Sequence, residues 1–472
     1  MTELSMRPAT DPASARATGS TTTPIPGIAD LRRAVSGPVW DPGDVDVVTE
    51  LAGFNLAPTH EPVALVAATS AADVAATVRW ARVRGIGVAV VATGHADFSH
   101  RGVVVVSTKR LDRCEVDASE RTVTVGAGVK WARVLEAAAP HGLSAVTGSS
   151  SDVGAVGFTT GGGIGPVVRR FGYGCDRVRR MRVVTGDGQI REVSPTSDPE
   201  LFRAMLGGKD AAGIVVEMTV ELVEMTRFYG GSIFFDGADA PAVMHAWRTW
   251  QQGLTENTTT SIAILRAPDM EAVPPPLRGR TVIQLRVAHL GPEIEGLEVV
   301  GPMRKVATPI VDMVTDMPAG AIDAVHCDPT EPMPCWTTGA FVDTVEADTV
   351  DALLDAAGPQ RELPVILVEL RAIGGAGMRG TAGCLPRVPY VVGVVAPMVG
   401  PLVDVVPTVG HGILDALAPW SPGTVPVNFA SPQTIAARPG ACWTDAERAR
   451  LAGVSRRVDP DGVLGGRRLG LR

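Results

Sequence analysis

The sequence predicts an α+β protein of two or three domains, and three observations carry that expectation. Strand and helix patterns alternate from Pro62 to Val223, short strand-like runs recur between residues 226 and 424, and 472 residues at ~150 per domain leave room for more than one core. Hydrophobic residues make up 45% of the chain and charged residues 20%. Those are the proportions of a folded protein, remote from the low-hydropathy, high-charge composition of disorder.

Residues 1–35 come first. The stretch from Met1 to about Asp30 is rich in Ser, Thr, Ala and Pro and lacks the apolar core of a secretory signal or an anchor, so 1–35 reads as a flexible leader. VALVAA then reads as a strand and AADVAATVRWARVRG as a helix, its apolar residues spaced by three and four with Val74, Val78 and Trp80 turned inward. Asp73 suits the positive end of the helix dipole, and Gly85 to Gly87 ends the helix. GVAVVATG and VVVVST are the next strands. A second unit holds the strand TVTVGAG at 122–128, a helical segment at 129–142 and a long glycine-rich loop at 147–166. After it come two strands joined by an Asp187-Gly188 turn, the helix PELFRAMLGG and the strand AAGIVVEMTVELV. Farther on, SIAILRA, TVIQLRVA, GAFVDTV, PVILVELRAI and YVVGVVAP supply strands. Val388 to Val406 is the most apolar stretch, but Pro389, Pro397, Pro401 and Asp404 interrupt it, so buried strands and turns are expected there rather than a membrane span.

Acidic residues number 51 against 43 basic ones, for a net charge of −8, and no basic tract stands out. A nucleic-acid or anionic-membrane surface needs a concentrated cationic footprint, so neither partner is expected. The six cysteines are scattered without a CxxC pair, which suits neither a zinc site nor a disulfide framework and fits a reducing cytoplasm. His245, His289 and His411 lack partners at metal-ligand spacing and read as core or surface histidines; no metal is expected.

Two loops carry the chemistry. Thr93-Gly94-His95-Ala96-Asp97 is a small-residue turn whose backbone N–H groups suit an anion such as a diphosphate. The segment from Gly148 to Gly165 holds seven glycines in 18 residues, which lets backbone approach a flat or multiply charged ligand with no Cβ in the way. Its spacing is neither that of a Rossmann fingerprint nor that of a P-loop.

The order of these pieces resembles the flavoprotein oxidase superfamily that includes vanillyl-alcohol oxidase and p-cresol methylhydroxylase (PCMH), and within it the berberine-bridge-enzyme-like oxidases. The likeness rests on the ATGH loop, VTGSSSDVGAVGFTTGGGIGPVVRRFGYGCDRV, VVTGDGQ, ELFRAMLGG and AGIVVEMTVEL, with Val427-Asn428-Phe429 and Asp459-Pro460-Asp461-Gly462 near the C-terminus. It implies a bipartite PCMH-type FAD-binding domain formed by 36–225 and closed by a return segment at 425–472. A substrate domain at 226–424, an antiparallel sheet backed by helices, would be inserted between them. FAD would lie against Thr93, Gly94, His95, Ala96 and Asp97, against Gly148, Ser149, Ser150, Val153, Gly154, Gly157, Thr160, Gly161, Gly162, Gly163 and Gly165, and against Ile214, Val215 and Asn428. His95 stands where relatives attach the flavin covalently, with His100 as the fallback; the plainer alternative is a histidine bonded to a phosphate or backbone group. Doubly attached relatives carry a Cys where this chain has Ser150, and a hydroxyl that stays protonated at neutral pH is too poor a nucleophile to replace it, so single attachment is expected. Val153 matches the position that controls oxygen access, which points to molecular oxygen as final acceptor; the alternative is simple packing against the ring.

The sequence also departs from these relatives. Their base, a Tyr two residues before the Asn, is here Pro426, and the Glu of a late strand aligns with Gly393. What remains is the strand Val365 to Arg371, where alternation puts Leu367, Glu369 and Arg371 on one face, a base and an anion clamp or an ordinary same-face ion pair. Tyr390 is a weaker candidate. An apolar pocket is expected, favouring a largely apolar natural product over a sugar. The leading function is therefore an FAD-dependent oxidase of secondary metabolism, monomeric or homodimeric. The alternatives are a flavoprotein-derived cyclase or pericyclase with structural FAD, or a non-catalytic metabolite-binding protein.

Overall fold

The strand Ala64–Ala67 has four fully buried residues, Val104–Ser107 likewise, and runs of this kind need neighbours on both sides. In the computed structural model, which describes residues 27–380 and 383–471, they lie parallel to one another and to Val88–Val91, with Val39–Trp40 antiparallel at the edge. The crossover is the helix Ala71–Arg82, capped by the Ser70 hydroxyl; Val74 and Val78 are fully buried beneath it. Asp73 does more than face the dipole, since its carboxylate accepts from the N–H groups of Ser36 and Thr69 and ties the incoming chain to the helix. That incoming chain corrects the expected leader at its end. Ile28–Ala34 is a helix, Leu31 is fully buried, and the Trp80 indole donates to Gly27 O at 2.9 Å. The leader's remainder, 1–26, lies outside the described residues.

A five-stranded antiparallel sheet follows, in the order Cys114–Asp117, Thr122–Gly126, Ile214–Glu221, Val178–Val184, Ile190–Val193, with Gly188 supplying the positive φ of the turn at 76°. The glycine-rich segment is more than a loop. Ala155–Thr160 inside it is a short helix that buries Val156 and Phe158, so the glycines flank a packed turn of backbone.

From Arg227 onward the chain builds an eight-stranded antiparallel sheet. Its central order is Arg227–Asp236, Thr281–His289, Thr258–Arg266, Leu367–Ala372, Tyr390–Pro397, Cys335–Val342. Alternation divides each strand between two faces. One face carries Ile262, Leu285, Leu370 and Val392, packed under helices Ala240–Gln252, Ala347–Ala357 and Leu402–Asp415 through Trp247, Leu353 and Ile413. The last of these helices corrects the reading of Val388 to Val406 as strands and turns, because the apolar run continues from a strand into a helix that contains Pro407. Among the described residues no helix is long and apolar enough to cross a membrane.

The chain finally returns to its first sheet. Val88 N–H donates to Val463 O at 2.7 Å, and the Asp459 carboxylate accepts from the N–H groups of Val463 and Leu464. The other face of the large sheet is thereby turned toward the two glycine-bearing loops, and that is where the site lies.

Candidate functional site

The strand Val88–Val91 of the parallel sheet ends just before Thr93, and the following turn needs a left-handed residue, which Gly94 supplies with φ 66°. This turn meets the second loop directly: Gly154 N–H donates to Thr93 Oγ1 at 3.2 Å, and Asn428 Nδ2 donates to Phe158 O at 3.0 Å from the returning chain. Gly161 must lack a side chain, because a Cβ there would run into Asn428. Gly165 is in the same position against the Thr147 carbonyl. His95 stacks on Phe54 with centroids 4.6 Å apart, and its Nδ1 lies 3.0 Å from Thr93 Oγ1. Burial pushes this imidazole down to about 4, so it is neutral at ordinary pH and its lone pair is available. His100 is also neutral, buried, and stacked on His60.

These residues fit an FAD. Backbone from both loops is packed at close range, Gly157 faces open space, the neutral His95 stands beside them, and the buried Thr159 hydroxyl has no partner. Ser150 Oγ accepts from Asp152 N–H, Thr160 Oγ1 bonds back to Val156 O, and Ile214 and Val215 are buried at the start of their strand. Asp97 directs its carboxylate elsewhere: it accepts from Asn55 Nδ2 at 2.8 Å and from Thr337 N–H at 2.9 Å, so the side chain ties the loop to the large sheet and only the backbone of this residue faces the cofactor turn. Burial pushes that carboxyl up to about 7. Lys209 was not foreseen: its Nζ donates to Gly157 O at 2.8 Å, and burial lowers it to about 8. The only signal for it was its place just after the LGG that ends a helix.

Opposite the loops, the sheet presents two cross-strand rows. One reads Ser232, Arg286, Ser261, Arg371, and the next Gln284, Ala263, Glu369, Gly393. Ser232, Gln284, Arg286, Glu369 and Arg371 form a continuous network. Ser232 Oγ donates to Val325 O, Gln284 Nε2 donates to Ser232 Oγ and to His326 O, and Arg286 Nη2 donates to Gln284 Oε1 at 2.8 Å. Arg286 Nη1 and Arg371 Nε both donate to Glu369, the latter at 2.8 Å. The Arg286 and Glu369 side chains are only 2% and 4% exposed, and Arg371 lies over the Phe429 ring. Burial opposes the charge on Glu369, but the two guanidiniums outweigh it and hold the carboxyl below its usual range. Leu367, Glu369 and Arg371 therefore do share the inner face.

Two expectations fail here. Tyr390 pairs with Ala372 and faces the backing helices, where its hydroxyl accepts from Gln251 Nε2 at 2.9 Å; it is on the wrong side of the sheet to be catalytic. The pocket is not apolar either. The strand Tyr390–Pro397 is apolar on both faces and contributes Val391, Gly393 and Val395 to the inner one, while the polar positions there come from the strands carrying Ser232, Ser261, Gln284, Arg286, Glu369 and Arg371. Gly393 pairs with Glu369, whose Oε1 lies 3.0 Å from where a Gly393 Cβ would be. A neighbouring strand fills the same patch.

Residues 62–194 match the family model described as FAD binding domain. This segment is an FAD binding domain. Two curated relatives each align over 36% of the chain. The FAD-dependent monooxygenase FUP4 of Fusarium proliferatum is 34% identical over 175 residues, 36% of this chain and 34% of that protein. The (R)-6-hydroxynicotine oxidase of Paenarthrobacter nicotinovorans is 31% identical over 171 residues, 36% of this chain and 37% of that protein. The alignments thus span about a third of these relatives' length. Fold similarity extends much farther than the FAD binding domain. Physcomitrella patens BBE-like 1 superposes with a TM-score of 0.80 at 17% identity, over 94% of this chain and 99% of that one. The 6-hydroxy-D-nicotine oxidase of Arthrobacter nicotinovorans gives 0.76 at 20%, over 91% and 96%. The FAD binding domain and the large sheet together therefore have the PCMH-type fold.

Proposed function

We propose that this protein is an FAD-dependent oxidoreductase, an oxidase acting on a small natural product held between the glycine-rich loops and the polar face of the large sheet. Residues 36–225 with 425–472 hold the cofactor and 226–424 hold the substrate. The observation that carries this reading is the buried Arg286–Glu369–Arg371 group facing the loops. Burying three charges contributes little to stability, since apolar residues of similar volume serve as well or better, so their placement opposite the loops argues for use. FAD, when bound, supplies a two-electron acceptor that takes hydride from the substrate and is reoxidised by molecular oxygen. Glu369 fixes both guanidiniums and leaves neither oxygen free, which makes it a positioning residue for Arg286 and Arg371. Thr93 orients the neutral His95, Asn428 clamps the glycine-rich segment from behind, and Lys209 adds positive charge beside Gly157.

The same double pairing of Glu369 favours the alternative of a cyclase with structural FAD, since such an enzyme needs no base. Anaerobic mixing of the yellow holoprotein with a panel of phenolic and carboxylate metabolites separates the two. Bleaching, with colour and peroxide returning on admission of air, is the expected result. Conversion of a metabolite with the colour unchanged would overturn the oxidase reading.

His95 is proposed as the single covalent attachment point. A denaturing gel under ultraviolet light should show fluorescence on the protein band that vanishes in His95→Ala and persists in His100→Ala. A dark wild-type band would mean that the imidazole only bonds the cofactor.

A further inference from the structure

We propose that the recess between the Gly165–Pro166 loop and the large sheet binds an oxyanion of the substrate, a carboxylate or a phenolate, through Ser261, Arg286 and His326. The inference rests on the oxidoreductase reading for the identity of the site and adds the class of ligand. Gly165 and Pro166 form one wall, Ser261, Arg286, Arg371 and His326 lie on the other, and the ≈ 10 Å³ between them admits only the oxygen end of a ligand.

Three polar side chains there are more than nine-tenths buried and keep atoms without a partner. They are Ser261 Oγ, Arg286 Nε and both ring nitrogens of His326, on residues 3%, 2% and 5% exposed. Buried polar groups are rarely left so, and each costs about 1–3 kcal/mol until something bonds it. All three can donate, and Arg286 can only donate. The nearby acceptor, Glu369, is already engaged by Arg286 and Arg371. Charge points the same way. Two guanidiniums face one carboxylate, His326 is held neutral by burial and by those guanidiniums, and Asp328, the other acid that acts on Arg371, is part-exposed to water. An ammonium ligand would meet excess positive charge, and a neutral amide would satisfy fewer donors. An oxyanion satisfies the donors and balances the charge. It also removes the need for a base, because a substrate bound already ionised has no hydroxyl proton to give up.

Calorimetric titration of the holoprotein with benzoate, 4-cyanophenolate and benzamide tests this. Benzoate, the phenolate or both should bind at least tenfold more tightly than benzamide, and which of them binds identifies the oxyanion. Ser261→Ala should weaken that binding about 5- to 20-fold, and Arg286→Gln by more than about 30-fold, in line with charge-assisted hydrogen bonds. Ser261→Ala removes a single hydroxyl and keeps the test valid if Arg286→Gln does not fold. Equal binding of benzamide, no binding of either oxyanion, or full affinity in Ser261→Ala overturns the proposal. A preparation that takes up no FAD defeats the oxidoreductase reading instead, and the titration still reads the recess, which is formed by protein atoms alone.

Discussion

Glu369→Leu should destabilise the protein by about 3–5 kcal/mol, because it strands two buried guanidiniums without their counter-charge. Arg286 and Arg371 are both inward-facing; their remaining direct contacts, Gln284 and the Phe429 ring, are neutral, and Asp328, which also acts on Arg371, is part-exposed to water. Urea unfolding at neutral pH measures the loss. The pH dependence provides a second reading. The Glu369 carboxyl is held below its ordinary value of 4.5, so its contribution is complete above that value and is lost as pH falls through the folded-state pKa. The gap between wild type and Glu369→Leu should therefore be constant from pH 7 down to about 5 and narrow below about 4.5. Replacing all three charges with apolar residues should recover most of the stability, while oxyanion binding stays lost. If Glu369→Leu unfolds with wild-type stability at pH 7, the carboxylate is not the keystone of this face.

The second large effect lies in the cofactor cradle. Gly161→Ala should lower FAD content at least about tenfold, equivalent to ~1.4 kcal/mol of binding. The backbone at Gly161 has φ −96°, which alanine adopts without strain, so the whole effect must come from the Cβ displacing Asn428. That makes a clean cycle possible. Asn428→Ala alone should cost only the bond to Phe158 O, about 1 kcal/mol, and combined with Gly161→Ala it should restore most of the flavin. Visible absorbance per mole of protein measures each variant. Failure of the double variant to recover would mean that Gly161 matters for its own contact with cofactor rather than for room given to Asn428.

The sequence made the cofactor unit legible because its signals are local. A strand, a helix spaced by three and four, and a glycine-dense segment each declare themselves within twenty residues. The sheet face was legible only one strand at a time. Alternation correctly put Glu369 and Arg371 together, but Arg286 lies 83 residues from Glu369, and its place opposite Ser261 depends on strand pairing that no local pattern encodes. Tyr390 misled for the same reason: its rarity drew attention, while the register that turns it toward Gln251 is set by the partner strand. Asp97 sat in a ligand-like turn yet bonds Thr337, 240 positions away. His326 gave no signal at all, being a lone histidine outside any pattern.

Asn428 reaches back 270 positions to close on Phe158, and Val463 reaches back to Val88. During synthesis the glycine-rich segment therefore emerges long before the residues that clamp it. A cradle with both contacts in place is therefore a late product of synthesis, and a chain paused before residue 428 would present the glycine-rich segment without the contact that closes on it.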